Sequence, residues 1–302
     1  MLAAGRRMAG AAAENPGDAV ATRDDEPRAG DDDPAAGGGA SRRGRRWWLA
    51  LAGGAALAVA VVAAAALRQP PPRPEGLVIL YGDSLSVEAA GDFVRELERT
   101  SDAEVVTRPV PGLSPCDALD TMRADLALEP AVVVIQYVGN NASPCMLDGE
   151  GQPLTGQALT DRIEADVRTA AELFAMAGTR VVLVGGPHAP GLPAGDATLD
   201  IAETYLRIVN EWAGELGRIR YADAAATVTG PDHRYADRLP CRDGEGPDEG
   251  CADGEVVVRS PDRIHFCPTE HDGLACPVPS PGARRFGHEM ARVTRMALDP
   301  DY

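Results

Sequence analysis

The feature that most constrains this chain is an alternation of short apolar runs with amphipathic stretches between residues 77 and 298. The apolar runs predict strands at 77–81, 105–106, 131–138, 180–184 and 218–222. The amphipathic stretches predict helices at 88–100, 117–128, 161–177, 198–216 and 281–298. Such an alternation predicts an α/β domain with a parallel sheet covered by helices on both faces.

Residues 226–280 interrupt this alternation. They hold four of the six cysteines together with many Gly, Pro and Asp residues. In open parallel sheets, ligands bind beyond the carboxyl ends of the strands. We therefore expect a disulfide-tied loop region that lies over that edge of the sheet.

The N-terminal part of the chain predicts a tail and a membrane anchor. Residues 1–46 hold almost no large apolar residues and predict a disordered cytoplasmic tail. Residues 47–67 carry no charge and are long enough to span a bilayer as a signal anchor. Four arginines precede this stretch and one follows it, which predicts that the C-terminal part lies outside the cell. Residues 68–76 predict a proline-rich linker before an extracytoplasmic domain at 77–302.

A cleavable signal is the alternative to the anchor. Small residues near Ala64 and Ala66 could be cut, and Arg45-Arg46 weakly resembles a twin-arginine signal. Either interpretation exports the domain, which would be membrane-anchored in one case and secreted in the other.

The charge argues against a nucleic-acid partner. The net charge is −17, and the eight arginines of residues 1–46 are balanced by eight acidic residues, so the excess lies after residue 46. An acidic domain repels a phosphate backbone.

All six cysteines follow the predicted anchor, and an even number in an exported domain predicts three disulfides. Fifteen pairings are open; we expect Cys116–Cys145, Cys241–Cys251 and Cys267–Cys276. The last two would close short loops that lack apolar residues. Zinc is the rival interpretation, but the absence of any C-x-x-C pair disfavours it, and we expect no metal.

Ser84 follows the first predicted strand in Gly-Asp-Ser-Leu-Ser. If a helix begins there, the serine hydroxyl and its backbone N–H both face the edge of the sheet, where they could attack a carbonyl and bind an oxyanion. An ordinary helix N-cap is the alternative.

Asn140 follows the strongest strand, and Gly112 follows the second. The Asn140 amide and the Gly112 backbone N–H are candidate donors to an oxyanion. Gly and Asn also dominate turns, so a plain turn is the alternative at each position.

Asp262 and His265 are three residues apart, so the carboxylate can hold the imidazole in one tautomer and leave its other nitrogen as a base. A surface loop is the alternative. His188 also follows a strand; it could line a pocket, but a loop role is favoured.

Read together, these residues resemble the SGNH hydrolases, the GDSL-like lipases and esterases. The first block is matched at residues 82–86, the block-two glycine at Gly112, the third block at residues 138–141, and the D-x-x-H block at residues 262–265. Asn141 replaces the usual Asp of the third block, although alignment of the strand places Asn140 on the family's Asn.

The resemblance covers residues 77 to about 297. It implies a flavodoxin-like three-layer α/β/α sandwich with a central, mostly parallel five-stranded sheet. It also implies a nucleophile at Ser84, a base at His265 oriented by Asp262, an oxyanion hole from Ser84, Gly112 and Asn140, and no cofactor. The substrate would be an ester-bearing small molecule, a lipid or an O-acylated glycan. The cysteine-bearing subgroup includes partners of membrane acyltransferases, so acyl transfer is one alternative and a non-catalytic binding module is another.

Overall fold

The structure, a computed structural model, describes residues 76–192, 194–212, 218–270 and 276–299. The predicted tail at 1–46, the predicted span at 47–67 and all but the last residue of the predicted linker lie outside them. Within the described ranges, none of the helices combines the length and the apolar character needed to cross a membrane.

The domain is built on one parallel sheet of five strands. They are β1 (Leu77–Gly82), β2 (Glu104–Thr107), β3 (Val132–Gln136), β4 (Arg180–Val184) and β5 (Ile219–Ala222), in the spatial order β2-β1-β3-β4-β5. Every neighbouring pair is parallel, and Val78 of β1 pairs with Val105 on one side and Val132 on the other. This is the flavodoxin-like strand order, and the predicted fold class is confirmed.

Alternate side chains of the strands divide the core into two layers, because successive residues of a strand point to opposite faces. Val78 and Leu80 pack on one face, whereas Ile79 and Tyr81 pack on the other. The first face is covered by α1 (Ser84–Thr100) and α5 (Pro281–Leu298). The second is covered by α2 (Pro115–Asp125), α3 (Gly156–Met176) and α4 (Ala197–Trp212).

Two predicted bounds were wrong near the candidate site. The first helix begins at Ser84 rather than at residue 88, because the Asp83 side chain accepts a hydrogen bond from the Leu85 N–H and caps it. The third strand ends at Gln136 rather than at Val138, because the Val138 N–H donates to Asp83 instead of to a neighbouring strand. In both cases the Asp83 side chain holds a backbone N–H close to the carboxyl end of β1.

The region at 226–280 was predicted to be a loop region, but part of it has regular structure. It contains a short antiparallel pair, β6 (Arg238–Pro240) and β7 (Glu255–Val257). Leu239 pairs with Val256, which is fully buried, so this small hairpin has an apolar anchor on the domain.

The three predicted disulfides, Cys116–Cys145, Cys241–Cys251 and Cys267–Cys276, are present. The first ties the start of α2 to the loop that follows Asn140, and the third ties the chain just after His265 to the approach to α5. Disulfides therefore border the loops that carry Gly112, Asn140 and His265.

Candidate active site

The turn between β1 and α1 presents Ser84 at the carboxyl edge of the sheet. There is no room for a side chain at Gly82, since a Cβ there would lie 2.3 Å from Ser86 Oγ and 2.7 Å from the Gln136 carbonyl oxygen. This close approach makes the turn tight. Ser84 is the first residue of α1, where a backbone N–H has no acceptor within the helix.

Ser84, His265 and Asp262 form one hydrogen-bonded chain. Ser84 Oγ lies 2.9 Å from His265 Nε2, and His265 Nδ1 lies 2.6 Å from Asp262 Oδ2. A carboxylate can only accept, so Nδ1 carries the proton and Nε2 is the acceptor for the serine hydroxyl. The sequence predicted these three residues, and the structure brings all three together.

Asp262 is held in its ionised form by its own loop. Its other oxygen, Oδ1, accepts from the Ile264 N–H at 2.8 Å and from the His265 N–H at 3.0 Å. Partial burial acts to raise the pKa of Asp262, but the hydrogen bonds from the His265 ring and these two amides outweigh it and lower that pKa below its usual value. A charged carboxylate can stabilise an imidazolium beside it.

Asn140 and the turn at Gly112 are tied together beside Asp83. The Asn140 amide donates to the Leu113 carbonyl at 3.2 Å and lies 3.4 Å from Asp83 Oδ2. The Ser114 hydroxyl donates in turn to the Asn140 carbonyl. Gly112 has a φ of +76°, and among the described residues its N–H has no hydrogen-bond partner. A donor amide and an unused N–H therefore belong to one tethered pair of loops.

Asn141 has a different environment. It is almost fully buried, and its amide donates to the Leu154 carbonyl at 2.8 Å. Because that contact holds the following loop, the Asn140 side chain rather than that of Asn141 lies beside Asp83.

His188 belongs to loop packing. Its Nδ1 accepts from the Tyr235 N–H at 3.3 Å, so Nε2 carries the proton and donates to Asp196 Oδ1 at 2.9 Å. These contacts agree with the favoured loop role.

Asp83 has a part in the site that sequence reasoning missed. Besides capping α1, this fully buried carboxylate accepts from the Val138 N–H at 2.7 Å. Burial raises its pKa to about 6, although the hydrogen bonds from the Val138 and Leu85 amides act in the opposite direction. An acidic residue between a glycine and the serine was visible in the sequence, but its link to the next strand is a tertiary contact.

Three more residues support the loop of Asp262 and His265 and were also missed. Glu88, one turn after Ser84, accepts from the Phe266 N–H at 2.6 Å. Gly191 packs so closely that a Cβ there would lie 2.1 Å from the Asp262 carbonyl oxygen. Arg259 donates to carbonyls inside the loop. The sequence signal for Arg259 was a charge directly after the apolar run Val256-Val257-Val258.

Comparison with family models and with curated proteins finds no match for this chain. Solved structures do match. A protein from Bacteroides fragilis that is described as an acylhydrolase is 18% identical, with a TM-score of 0.48 over 77% of this chain and 93% of that one. A protein described as lipolytic and of the G-D-S-L family, from Desulfitobacterium hafniense, is 17% identical, with a TM-score of 0.46 over 72% and 98%. A GDSL-like lipase from Bacteroides thetaiotaomicron is 19% identical, with a TM-score of 0.43 over 67% and 88%.

At these identities and TM-scores, the assignment rests on the chain's own topology. Three features match the pattern that the sequence resemblance implied. They are the strand order, the turn from β1 into the helix that begins at Ser84, and the hydrogen-bonded contact of His265 and Asp262 with that turn. The chain has a flavodoxin-like α/β/α fold, and its candidate site resembles that of the SGNH hydrolases. The residues that resemble the blocks of that family lie after β1, β2 and β3 and before α5.

Proposed function

We propose that this domain is an SGNH-type serine ester hydrolase that works through an acyl-enzyme. The observation that carries the proposal is the hydrogen-bonded chain from Ser84 Oγ through the His265 ring to Asp262, at 2.9 and 2.6 Å. A serine becomes nucleophilic when an adjacent base can take its proton, and the base needs a third group to orient it.

In the proposed mechanism, Ser84 Oγ attacks the ester carbonyl while His265 Nε2 takes the hydroxyl proton. Asp262 keeps Nδ1 protonated and stabilises the imidazolium. The Ser84 and Gly112 N–H groups and the Asn140 amide bind the oxyanion. His265 then protonates the leaving alcohol, and water resolves the acyl-enzyme by the same route in reverse.

We further propose that the domain acts outside the cytoplasm on an acyl or acetyl ester of a glycan, a lipid or a small molecule. Support comes from three disulfides in a single domain, since such bonds persist in oxidising compartments. The predicted anchor at residues 47–67 would keep the domain at the membrane, beside envelope substrates.

The test is hydrolysis of p-nitrophenyl acetate and p-nitrophenyl butyrate by the full chain, produced in an oxidising compartment, beside Ser84→Ala. We expect activity that Ser84→Ala lowers by at least about three orders of magnitude. Ser86→Ala is the matched control, because Ser86 is buried and its hydroxyl donates to Gln136 Oε1 rather than to His265. A folded wild type that is no more active than Ser84→Ala would contradict a general esterase.

The same assay separates hydrolysis from transfer. A glycan acceptor with free hydroxyl groups is added together with the p-nitrophenyl ester, and the products are analysed by mass spectrometry. Acyl groups that move from the ester to sugar hydroxyls rather than to water would favour a transferase with the same residues.

A further inference from the structure

Arg259 is a buried cation behind the loop that carries Asp262 and His265. It follows β7, and only 1% of its surface is exposed. Its guanidinium carbon lies 5.7 Å from the Tyr235 ring centre and 5.5 Å from that of Phe266. Aromatic faces attract a guanidinium, so the two rings fix its position.

The guanidinium holds the two residues that separate the acid from the base. Arg259 Nη2 donates to the Ile264 carbonyl at 2.6 Å and to the Arg263 carbonyl at 3.3 Å. Asp262 Oδ1 accepts the amide protons of the same turn. The turn is therefore held on its amide side by Asp262 and on its carbonyl side by Arg259.

The turn needs such a support because its backbone is strained. Arg263 has a φ of +63°, a left-handed conformation that is strained for a residue with a side chain. Relaxation of this residue would change the direction in which the next residues leave the turn, and with it the placement of His265 relative to Ser84.

Stability alone does not explain a cation at this position. Among the described residues, Arg259 forms no salt bridge, and its Nε and Nη1 have no hydrogen-bond partner. Burial lowers its pKa to about 10, and the acidic groups of Tyr235, Asp262 and Glu88 only partly oppose this. Apolar side chains can often replace even a buried ion pair at no cost in stability.

We propose that Arg259 is a positioning residue, whose contacts with the carbonyls of residues 263 and 264 align Asp262 and His265 with Ser84. The inference rests on the proposed function, since it assigns Arg259 a part in the activity of that site. Arg259 touches neither Ser84 nor the His265 ring among the described contacts, so it acts through the turn.

The experiment compares Arg259→Met, Arg259→Lys and the control Arg238→Met in the full chain. Arg238 is an exposed arginine on the neighbouring strand β6. For Arg259→Met we expect kcat on p-nitrophenyl acetate to fall about tenfold to hundredfold, with KM within about twofold, because a small misplacement affects the transition state most. The thermal unfolding midpoint should stay the same or rise. Arg259→Lys keeps the charge and a donor nitrogen, and its kcat should lie between those of wild type and Arg259→Met.

A second readout reports the aligned pair directly. The proton that His265 Nδ1 shares with Asp262 should give a downfield NMR signal in wild type and in Arg238→Met. This signal should broaden or vanish in Arg259→Met. A kcat of Arg259→Met equal to that of wild type would overturn the inference. So would a loss of kcat that is explained by a lower unfolding midpoint. If Arg259→Met does not fold, Arg259→Lys is judged by the same two criteria. If wild type itself shows no hydrolysis that depends on Ser84, the proposed function fails, and the NMR signal still tests Arg259.

Discussion

The nucleophile side of the site and its base side are held by different means. Ser84 and Asn140 follow β1 and β3, strands whose residues are almost all fully buried between two layers of helices. Asp262 and His265 lie in an irregular region, where a buried arginine, a disulfide and Glu88 replace the sheet as support. The nucleophile side thus has regular packing beneath its polar contacts, whereas the base side depends mainly on individual polar contacts and a disulfide. The base side should accordingly be the easier one to misalign by a single substitution.

Asp262→Asn has the largest expected effect, because it disables the base side of the site without changing the size of the side chain. An amide would favour the wrong tautomer of His265 and could not stabilise the imidazolium, so we expect kcat to fall on the order of 10³–10⁴-fold. The measurement is p-nitrophenyl acetate hydrolysis, with thermal unfolding as the control for folding. A loss smaller than about tenfold would mean that the base does not depend on this carboxylate.

Asn140→Ala tests the nucleophile side of the site and should have the next largest effect. Loss of one oxyanion donor typically lowers kcat on the order of 10²–10³-fold. Asn141→Ala is the matched control, since its amide donates to the Leu154 carbonyl and its loss should cost on the order of 1 kcal/mol of stability instead. A larger fall in kcat for Asn141→Ala than for Asn140→Ala would exchange their roles.

The same contrast separates what could be predicted from the sequence from what could not. The strands of the central sheet, the positions of Ser84 and Asn140 and the two short-loop disulfides followed from local patterns, because apolar runs, turn residues and loop spacing are local signals. The Cys116–Cys145 pair was also expected, but its cysteines are 29 residues apart and no local pattern pairs them. The β6–β7 hairpin was missed because its strands are three residues each and too short for a periodic pattern. Arg259 was missed because its role depends on which carbonyls it meets after folding. Chain-distant polar contacts are what local patterns do not encode.

Asp83 gives a pH test of the nucleophile side of the site. The pKa of this buried carboxyl is raised from 3.8 to about 6, so the folded state binds its proton more tightly than the unfolded state does. The contribution of Asp83 to stability is therefore fully present below about pH 4 and is lost as the pH rises through about 6. The shift corresponds to on the order of 3 kcal/mol. The free energy of unfolding of wild type and of Asp83→Asn is measured with urea across this pH range. We expect the wild-type value to fall relative to that of the variant as the pH rises. A wild-type value that rises relative to the variant would contradict the assignment.

The smallest expected effect compares two disulfides that enclose loops of similar length. Cys267–Cys276 spans 9 residues and begins two residues after His265, whereas Cys241–Cys251 spans 10 residues and ends shortly before β7. Loop closure predicts that replacing either pair with serine lowers the free energy of unfolding by about 2 to 3 kcal/mol. Because only the first tethers the chain that carries His265, only the Cys267/Cys276 variant should also lose kcat well below its unfolding temperature. Equal kcat losses in the two variants, measured on p-nitrophenyl acetate, would show that the disulfides stabilise the region as a whole and that the alignment of His265 depends on its polar contacts alone.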